Sequence, residues 1–531
     1  MLALPLLCLT AHAGALLTGP VEDPAALAAG WQREAGWRHS EVRFAPEGGT
    51  RVGALATAPL DVALRLEARG VGADGSTGPW VPVGETWRDD VSRVLVADLG
   101  ERWPGAEVRG RGVLDLDTLT WELLIPAHEP QAEGPPPPPS ALSAGLQDLG
   151  VVSRETWGAR STRCSSLEDD WYRFAIHHTA GSQTSGGTVE GAVRALQAYS
   201  MDSGSYCDIP YQFLVGHDGS LWEGRPLTYL SGATGGGNNP GNIAVSYLGC
   251  YTPSGCPGSS HADTDAMMAW GRLLVQTLAD EHGITTDTEW LRGHRDWPGN
   301  STVCPGEYVY ARLAELRDDR ARFQAEVDAA AFPIGGSVEV PIGEPVTLWV
   351  DLYNGGSDAW SPASTRLAPL PRDVASPVQG DGWISGTRIA AVPESVSPGA
   401  STRVSFTVVV PDAGPHDLSL ALVEEARTWF ADRPYGGGFS EGSLTVTLVG
   451  VEGGGAGTSG SGGGGGGDSG DTARPGGGDG GLDYEDPPGF VPQFAATPPP
   501  AEGGCACDIS GRGTPALLLL PLALLPLRRR P

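Results

Sequence analysis

Five consecutive prolines from Pro135 and a glycine-dominated run over residues 453–481 set the strongest limits on how this chain can fold. Consecutive prolines hold the backbone extended, and a Gly/Ser/Asp tract cannot bury a core. The 531 residues, with 78 Gly and 45 Pro, therefore divide into separate bodies. The expected divisions are a leader at 1–13, a β-sandwich-like domain at 21–126, a Pro-rich linker at 127–145 and a central α/β domain at 146–328. A second β-sandwich at 335–450, a Gly-rich linker at 451–503 and a tail at 504–531 complete the chain.

The formal net charge is −29, and all 35 basic residues are arginine. That balance argues against a nucleic-acid partner, whose phosphates need a basic face. Residues 2–9 are mostly apolar and precede Ala11-His12-Ala13, a small-residue cleavage pattern. The chain is accordingly expected to carry a signal peptide and to be exported.

Between 21 and 126, short alternating runs such as Val62-Ala63-Leu64-Arg65-Leu66-Glu67-Ala68 are cut by glycine-rich turns, which predicts an all-β sandwich. Trp31, Trp37, Trp80, Trp87, Trp103 and Trp121 are either strand and core residues or the lining of a sugar-binding face. From 337 to 449 the apolar runs 346–352 and 404–410 both lead into turn formers, predicting the second sandwich.

The central region alternates strands and helices. Residues 172–178 read as a buried strand, 188–201 as a helix capped by Thr188, and 211–215 with 221–223 as a hairpin. Residues 243–248 read as another strand, 264–282 as an amphipathic helix, and a last helix ends near Val327. The expected product is a mixed β-sheet with packed helices.

Within that frame, Gly293-His294-Arg295-Asp296-Trp297-Pro298-Gly299-Asn300-Ser301-Thr302-Val303-Cys304-Pro305-Gly306 places an imidazole and a thiol at the two ends of a turning loop. The strand ending in His177-His178 could supply a third ligand. Two histidines and one cysteine leave a tetrahedral zinc one position short, which is how catalytic zinc sites are built. The eight cysteines are at 8, 164, 207, 250, 256, 304, 505 and 507. Cys250 could close on Cys256, and Cys164 could pair with Cys207 across the sheet. Cys304 is then left over, and such a thiol in an oxidising compartment is reactive or metal-bound.

From about Leu149 to Leu316 the chain resembles the peptidoglycan recognition protein / type 2 N-acetylmuramoyl-L-alanine amidase family. The matches run in the family's order: Ser153-Arg154 with Trp157-Gly158-Ala159-Arg160, Ile176-His177-His178-Thr179-Ala180, and Asp208-Ile209-Pro210-Tyr211-Gln212-Phe213. Glu223-Gly224-Arg225, Asn242-Ile243-Ala244-Val245-Ser246-Tyr247, Gly293-His294-Arg295, and Thr302 with Cys304-Pro305-Gly306 follow. The resemblance implies one catalytic zinc ion held by His177, His294 and Cys304, and hydrolysis of the amide between N-acetylmuramic acid and L-alanine. Because side chains alternate along a strand, only one of His177 and His178 can face the metal, which leaves His178 as a hydrogen-bonded core residue. Tyr211 matches the family tyrosine that hydrogen bonds the attacking water or the oxyanion. Thr302 stands where relatives carry a Thr or Lys, and either binds the oxyanion or braces the loop.

Two departures from the family pattern concern contacts to the stem peptide. Gly232-Ala233-Thr234 stands where many relatives have Gly-Ala-His, and Pro226-Leu227 follows Glu-Gly-Arg where they have Gly-Trp. The segment 335–450 resembles Ig-like domains. The order Cys505-Ala506-Cys507, an apolar run over 515–527 and Arg528-Arg529-Arg530 resembles myxosortase-type sorting tails. It implies processing by a sorting protease at the membrane and tethering at the cell surface. A different reading is a surface protein that binds peptidoglycan without cutting it, and the presence of Cys304 weighs against that, since relatives that only bind have commonly lost this ligand.

Overall fold

A computed structural model gives the fold of residues 31–34, 37–56, 65–111, 119–127, 129, 141–235, 237–254, 256 and 260–452. The expected signal peptide, Gly-rich linker and C-terminal tail, with most of the Pro-rich linker, lie outside these residues. The described chain divides into two compact units at Asp319/Arg320.

The first unit begins with seven strands: β1 (Trp31–Glu34), β2 (Trp37–Ser40), β3 (Arg43–Ala56), β4 (Arg65–Val71), β5 (Val81–Arg88), β6 (Arg93–Arg111) and β7 (Leu119–Leu124). They form one sheet in the order β1-β2-β6-β3-β7, with β4 and β5 paired to each other and to β6. The early part of β6 pairs with β5 and β3, and its later part with β4 and β2. The two-sheet sandwich expected for 21–126 is thus corrected to one continuous sheet around a core that includes Val52, Ala54, Leu66, Ala68, Leu95, Val108 and Trp121. The physical reason is β6 itself, which runs for 19 residues through Gly100, Pro104 and Gly105, residues that read in sequence as breaks between strands.

Arginines stack on three of the described tryptophans of this sheet. The Arg109 guanidinium lies between Trp37 and Trp80, 4.4 Å and 4.1 Å from their ring centres, and Arg69 covers Trp80 at 4.4 Å. Trp121 is buried with Arg43 over its ring at 4.4 Å. Trp103 packs where Gly70 leaves room, its ring 2.0 Å from the point a Cβ would occupy. Arginine suits this use because its guanidinium is flat and stacks, which an ammonium cannot do.

The central part of the unit contains α1 (Ala144–Asp148), β8 (Arg173–His178), α2 (Val189–Asp202), β9 (Phe213–Val215), β10 (Leu221–Glu223), β11 (Asn242–Tyr247), α3 (Asp265–His282), β12 (Leu291–Gly293), α4 (Glu307–Ala311) and α5 (Leu313–Arg317). The sheet order is β10-β9-β11-β8-β12. β9, β11, β8 and β12 run parallel to one another and β10 is antiparallel to β9, so the sheet is mixed as expected. Strand alternation sends Phe174 and Ile176 into a core with Met267, Leu274 and Leu278 of α3. Ala244 and Leu214 go to the other face, where Val189 and Val193 of α2 pack together with Tyr211 and Cys304. Thr188 caps α2 by accepting from the Gly191 N–H at 3.0 Å, and Thr264 caps α3 by accepting from Met267 at 3.1 Å.

The N-terminal sheet is fixed to this region by polar contacts. Arg51 donates to Ser205 Oγ at 2.6 Å, Asp89 pairs with Arg194 at 3.3 Å, and Tyr199 donates to Glu122. Glu129 reaches further, to Arg225 at 2.8 Å and to the Cys207 N–H at 2.9 Å. Disulfides Cys164–Cys207 and Cys250–Cys256 are both formed.

The second unit is two sheets built from β13 (Phe323–Ala330), β14 (Ser337–Pro341), β15 (Val346–Asn354), β16 (Thr365–Leu370), β17 (Ala390–Ala391), β18 (Ser401–Val408), β19 (Gly414–Glu424), β20 (Thr428–Trp429), β21 (Gly436–Gly437) and β22 (Leu444–Val451). One sheet has the order β18-β15-β13-β21 and the other β14-β22-β19-β16-β17 with β20 on β19. They enclose one core containing Leu348, Val350, Trp360, Phe406, Leu420 and Leu448. The helix expected to end near Val327 is corrected: Phe323–Ala330 is a strand antiparallel to β15. Its Ala- and Glu-containing sequence favours helix locally, but Phe323 and Ala325 alternate into the core, and pairing with β15 outweighs the propensity. The central domain's expected end at 328 moves accordingly to about Asp319.

Candidate metal centre

Strand register brings the two distant histidines together. β8 and β12 are parallel, with Phe174 opposite Leu291 and Ile176 opposite Gly293. His177 and His294, each one residue further on, therefore leave the sheet side by side, with ring centres 4.6 Å apart and planes inclined by 49°. Cys304 returns to the same point after the turn. Its Sγ lies 3.6 Å from His177 Nδ1. The ligand atoms of His177, His294 and Cys304 all lie within 4.8 Å of one another. The structure thus brings together the three residues expected to bind metal.

Local bonds explain why the turn holds this shape. The Arg295 N–H donates to the Cys304 carbonyl at 3.0 Å, closing the loop on itself. Asp296 accepts from the Gly293 N–H at 3.2 Å and from Tyr310 at 2.9 Å. Trp297 is buried between Arg173 and Arg292, which lie 4.7 Å and 4.8 Å from its ring centre. Gly306 has φ +85°, and a Cβ there would sit 2.5 Å from the Tyr251 carbonyl oxygen, so glycine is required.

Polar partners orient each candidate ligand. His294 Nε2 is 3.1 Å from the Thr234 carbonyl oxygen and 3.2 Å from Asn300 Oδ1, while its Nδ1 is buried and makes no hydrogen bond. His177 Nε2 is 3.5 Å from Thr234 Oγ1. Cys304 Sγ accepts from the His178 main-chain N–H at 3.3 Å, a bond that favours thiolate. His178 points to the opposite side, as strand alternation requires, and its Nδ1 accepts from the Tyr251 N–H at 3.2 Å. Two imidazoles and a thiol whose ligand atoms lie within 4.8 Å of one another, with Nε2 of each imidazole facing oxygen atoms of Thr234, form a donor set that fits zinc. Glu129, Cys164 and Cys207 also converge, but both sulfurs are bonded to each other.

Tyr211 and Thr302 flank the ligands. The Tyr211 ring centre is 5.2 Å from that of His177. Tyr211 is held by the motifs around it: its carbonyl accepts from Arg225 N–H at 2.7 Å, and Arg225 Nε donates to the Ile209 carbonyl at 2.9 Å. Asp208, fully buried, pairs with Arg154 at 2.8 Å. Burial raises the pKa of Glu223, whose carboxylate accepts from the Arg154 N–H at 2.9 Å. Thr302 Oγ1 accepts from the Cys304 N–H at 3.1 Å, a bond within the turn. The three candidate ligands and Tyr211 are at most 1% exposed. Sequence reasoning placed Thr234 only among departures at the peptide groove, and Asn300 only as a turn former. Neither has a pattern that marks it as a partner of the histidines.

Residues 169–307 match the N-acetylmuramoyl-L-alanine amidase family. Peptidoglycan recognition protein 1 of Bos taurus is 31% identical over 167 residues, 31% of this chain and 83% of the bovine protein. Peptidoglycan-recognition protein SC1a/b of Drosophila simulans is 33% identical over 169 residues, 32% of this chain and 85% of the insect protein. Among solved structures, human PGRP-IBETAC in complex with glycosamyl muramyl pentapeptide is 27% identical, with a TM-score of 0.27, and the match covers 31% of this chain and 94% of that one.

Proposed function

This chain belongs to the peptidoglycan recognition protein family, and on that premise we propose that its central domain is a zinc-dependent amidase cleaving the bond between N-acetylmuramic acid and L-alanine in peptidoglycan. The observation that carries the reading is the convergence of His177, His294 and Cys304, with Cys304 in neither disulfide. Zinc bound there supplies Lewis acidity toward a substrate carbonyl and toward water.

The protein's own residues supply the rest. The buried histidines present fixed nitrogens, so little reorganisation is needed when metal or substrate arrives. The His178 N–H lowers the proton affinity of the Cys304 sulfur. Tyr211 donates a hydrogen bond to the oxygen that gains charge as the amide carbonyl becomes tetrahedral. Thr302 braces Cys304 through its hydroxyl oxygen, which accepts from the Cys304 N–H. Two disulfides are in keeping with export to an oxidising compartment, and tethering through the tail at 504–531 belongs to the same reading.

A second reading, binding without cleavage, is favoured by the near-complete burial of the ligands and Tyr211. One experiment separates the two. The whole chain, zinc-loaded, is incubated with peptidoglycan with and without a chelator, and stem peptides with a free L-alanine amino terminus are measured. Release that the chelator stops supports the amidase. Binding without release from the zinc-loaded sample overturns it.

A further inference from the structure

Thr234 lies on the loop between β10 and β11, is fully buried, and touches both histidines of the candidate metal centre through different atoms. Its main-chain carbonyl faces His294 Nε2 at 3.1 Å. Its hydroxyl oxygen faces His177 Nε2 at 3.5 Å. The residue is itself fixed from two sides: the Thr234 N–H donates to Asn239 Oδ1 at 2.8 Å, and Asn242 Nδ2 donates to Thr234 Oγ1 at 3.2 Å. A carbonyl oxygen only accepts, so the His294 Nε2 that faces it carries the proton. Asn242 donates to the hydroxyl oxygen, whose second lone pair can accept a proton from His177 Nε2.

We propose that Thr234 is a positioning residue that fixes both histidines as the Nε2–H tautomer, turning Nδ1 of each toward the Cys304 sulfur. The proposal rests on the zinc reading given above and deepens it. A single buried residue then sets the donor atoms of two ligands that are 117 positions apart in the chain. The division of labour is specific. The carbonyl contact survives any substitution at 234, whereas the hydroxyl contact depends on Thr or Ser.

The test uses the full chain with Thr234→Val, which keeps the shape and removes only the hydroxyl, and Thr234→Ser, which keeps the hydroxyl. Zinc affinity is measured by competition with a chromophoric chelator, and ring tautomers are read from imidazole ¹⁵N shifts in zinc-free protein. Thr234→Val is expected to weaken zinc binding about tenfold and to move His177 away from the Nε2–H form while His294 stays unchanged. Thr234→Ser is expected to restore both. Unchanged affinity and tautomer in Thr234→Val would overturn the proposal, as would equal disturbance of both histidines, which marks a general loss of packing. Absence of zinc affinity in the unsubstituted chain overturns the metal reading instead, and the tautomer comparison still decides what Thr234 does.

Discussion

The Glu129 carboxylate lies 2.8 Å from the Arg225 guanidinium and joins a segment outside the central fold to an arginine that is 2% exposed. The same carboxylate accepts from the Cys207 N–H at 2.9 Å. Arg225 in turn holds the Ile209 carbonyl, two residues before Tyr211. Removing one partner of a buried pair strands the other charge. Glu129→Ala is therefore expected to destabilise the first unit by about 3–5 kcal/mol, read as a fall in the urea midpoint with unchanged slope. A change below about 1 kcal/mol, the range of surface pairs, would show that solvent reaches Arg225. A fragment starting at 146 loses the same partner, so activity is best assayed on a chain that includes residue 129.

Cys304 is buried among Tyr211, Val193 and Leu214, and its sulfur is the point on which the two imidazoles converge. Cys304→Ser removes the soft ligand and leaves a smaller side chain of similar shape. Zinc content after dialysis is expected to drop to background and amide hydrolysis to stop. Near-ultraviolet circular dichroism should stay close to that of the parent. Wild-type zinc retention in Cys304→Ser would remove this sulfur from the site.

What could be read in advance followed from local chemistry. Thr188 announced its helix because a hydroxyl just before an apolar-periodic run satisfies a free N–H, and it does so. The ligand set was legible because His294 and Cys304 share one loop and His177 ends a buried strand. What escaped was set by pairing at long range. Nothing near Thr234 shows that the β10–β11 loop returns over β8 and β12. Helix propensity in Phe323–Ala330 yielded to the edge of β15, which is remote in sequence. The tryptophans of the first sheet read either as strand and core residues or as a sugar-binding face, and nothing local signalled that Arg109 of a neighbouring strand would stack on Trp37 and Trp80.

Tyr211 sets its ring 5.2 Å from that of His177 and binds no metal in the proposed arrangement. Tyr211→Phe is therefore expected to keep zinc affinity within about twofold and to lower kcat about a hundredfold or more, the usual loss when one oxyanion donor is removed. Its ring, fully buried against the His177 ring, is retained, so stability should change little. A rise in KM with unchanged kcat would assign Tyr211 to substrate binding instead.

His261 provides a pH-dependent probe of the loop beside the metal turn. Its Nδ1 accepts from the Cys250 N–H at 3.0 Å, and burial holds its pKa below the ordinary histidine value. The folded state therefore binds this proton less readily than the unfolded chain does. The stabilisation is complete above the unfolded value of about 6.5 and is lost as pH falls from there toward the folded value. His261→Gln keeps an acceptor for the Cys250 N–H and removes the titration. Between pH 7.5 and pH 5.5 the parent's Tm is expected to fall further than that of His261→Gln. His282, whose pKa burial also lowers, contributes equally to both proteins and cancels in the difference. The loop carrying Cys250 continues to Tyr251, whose N–H binds His178 Nδ1, and His178 supports the Cys304 sulfur through its own N–H. If the parent and His261→Gln lose Tm in parallel, protonation of His261 is not what loosens this chain of contacts in acid.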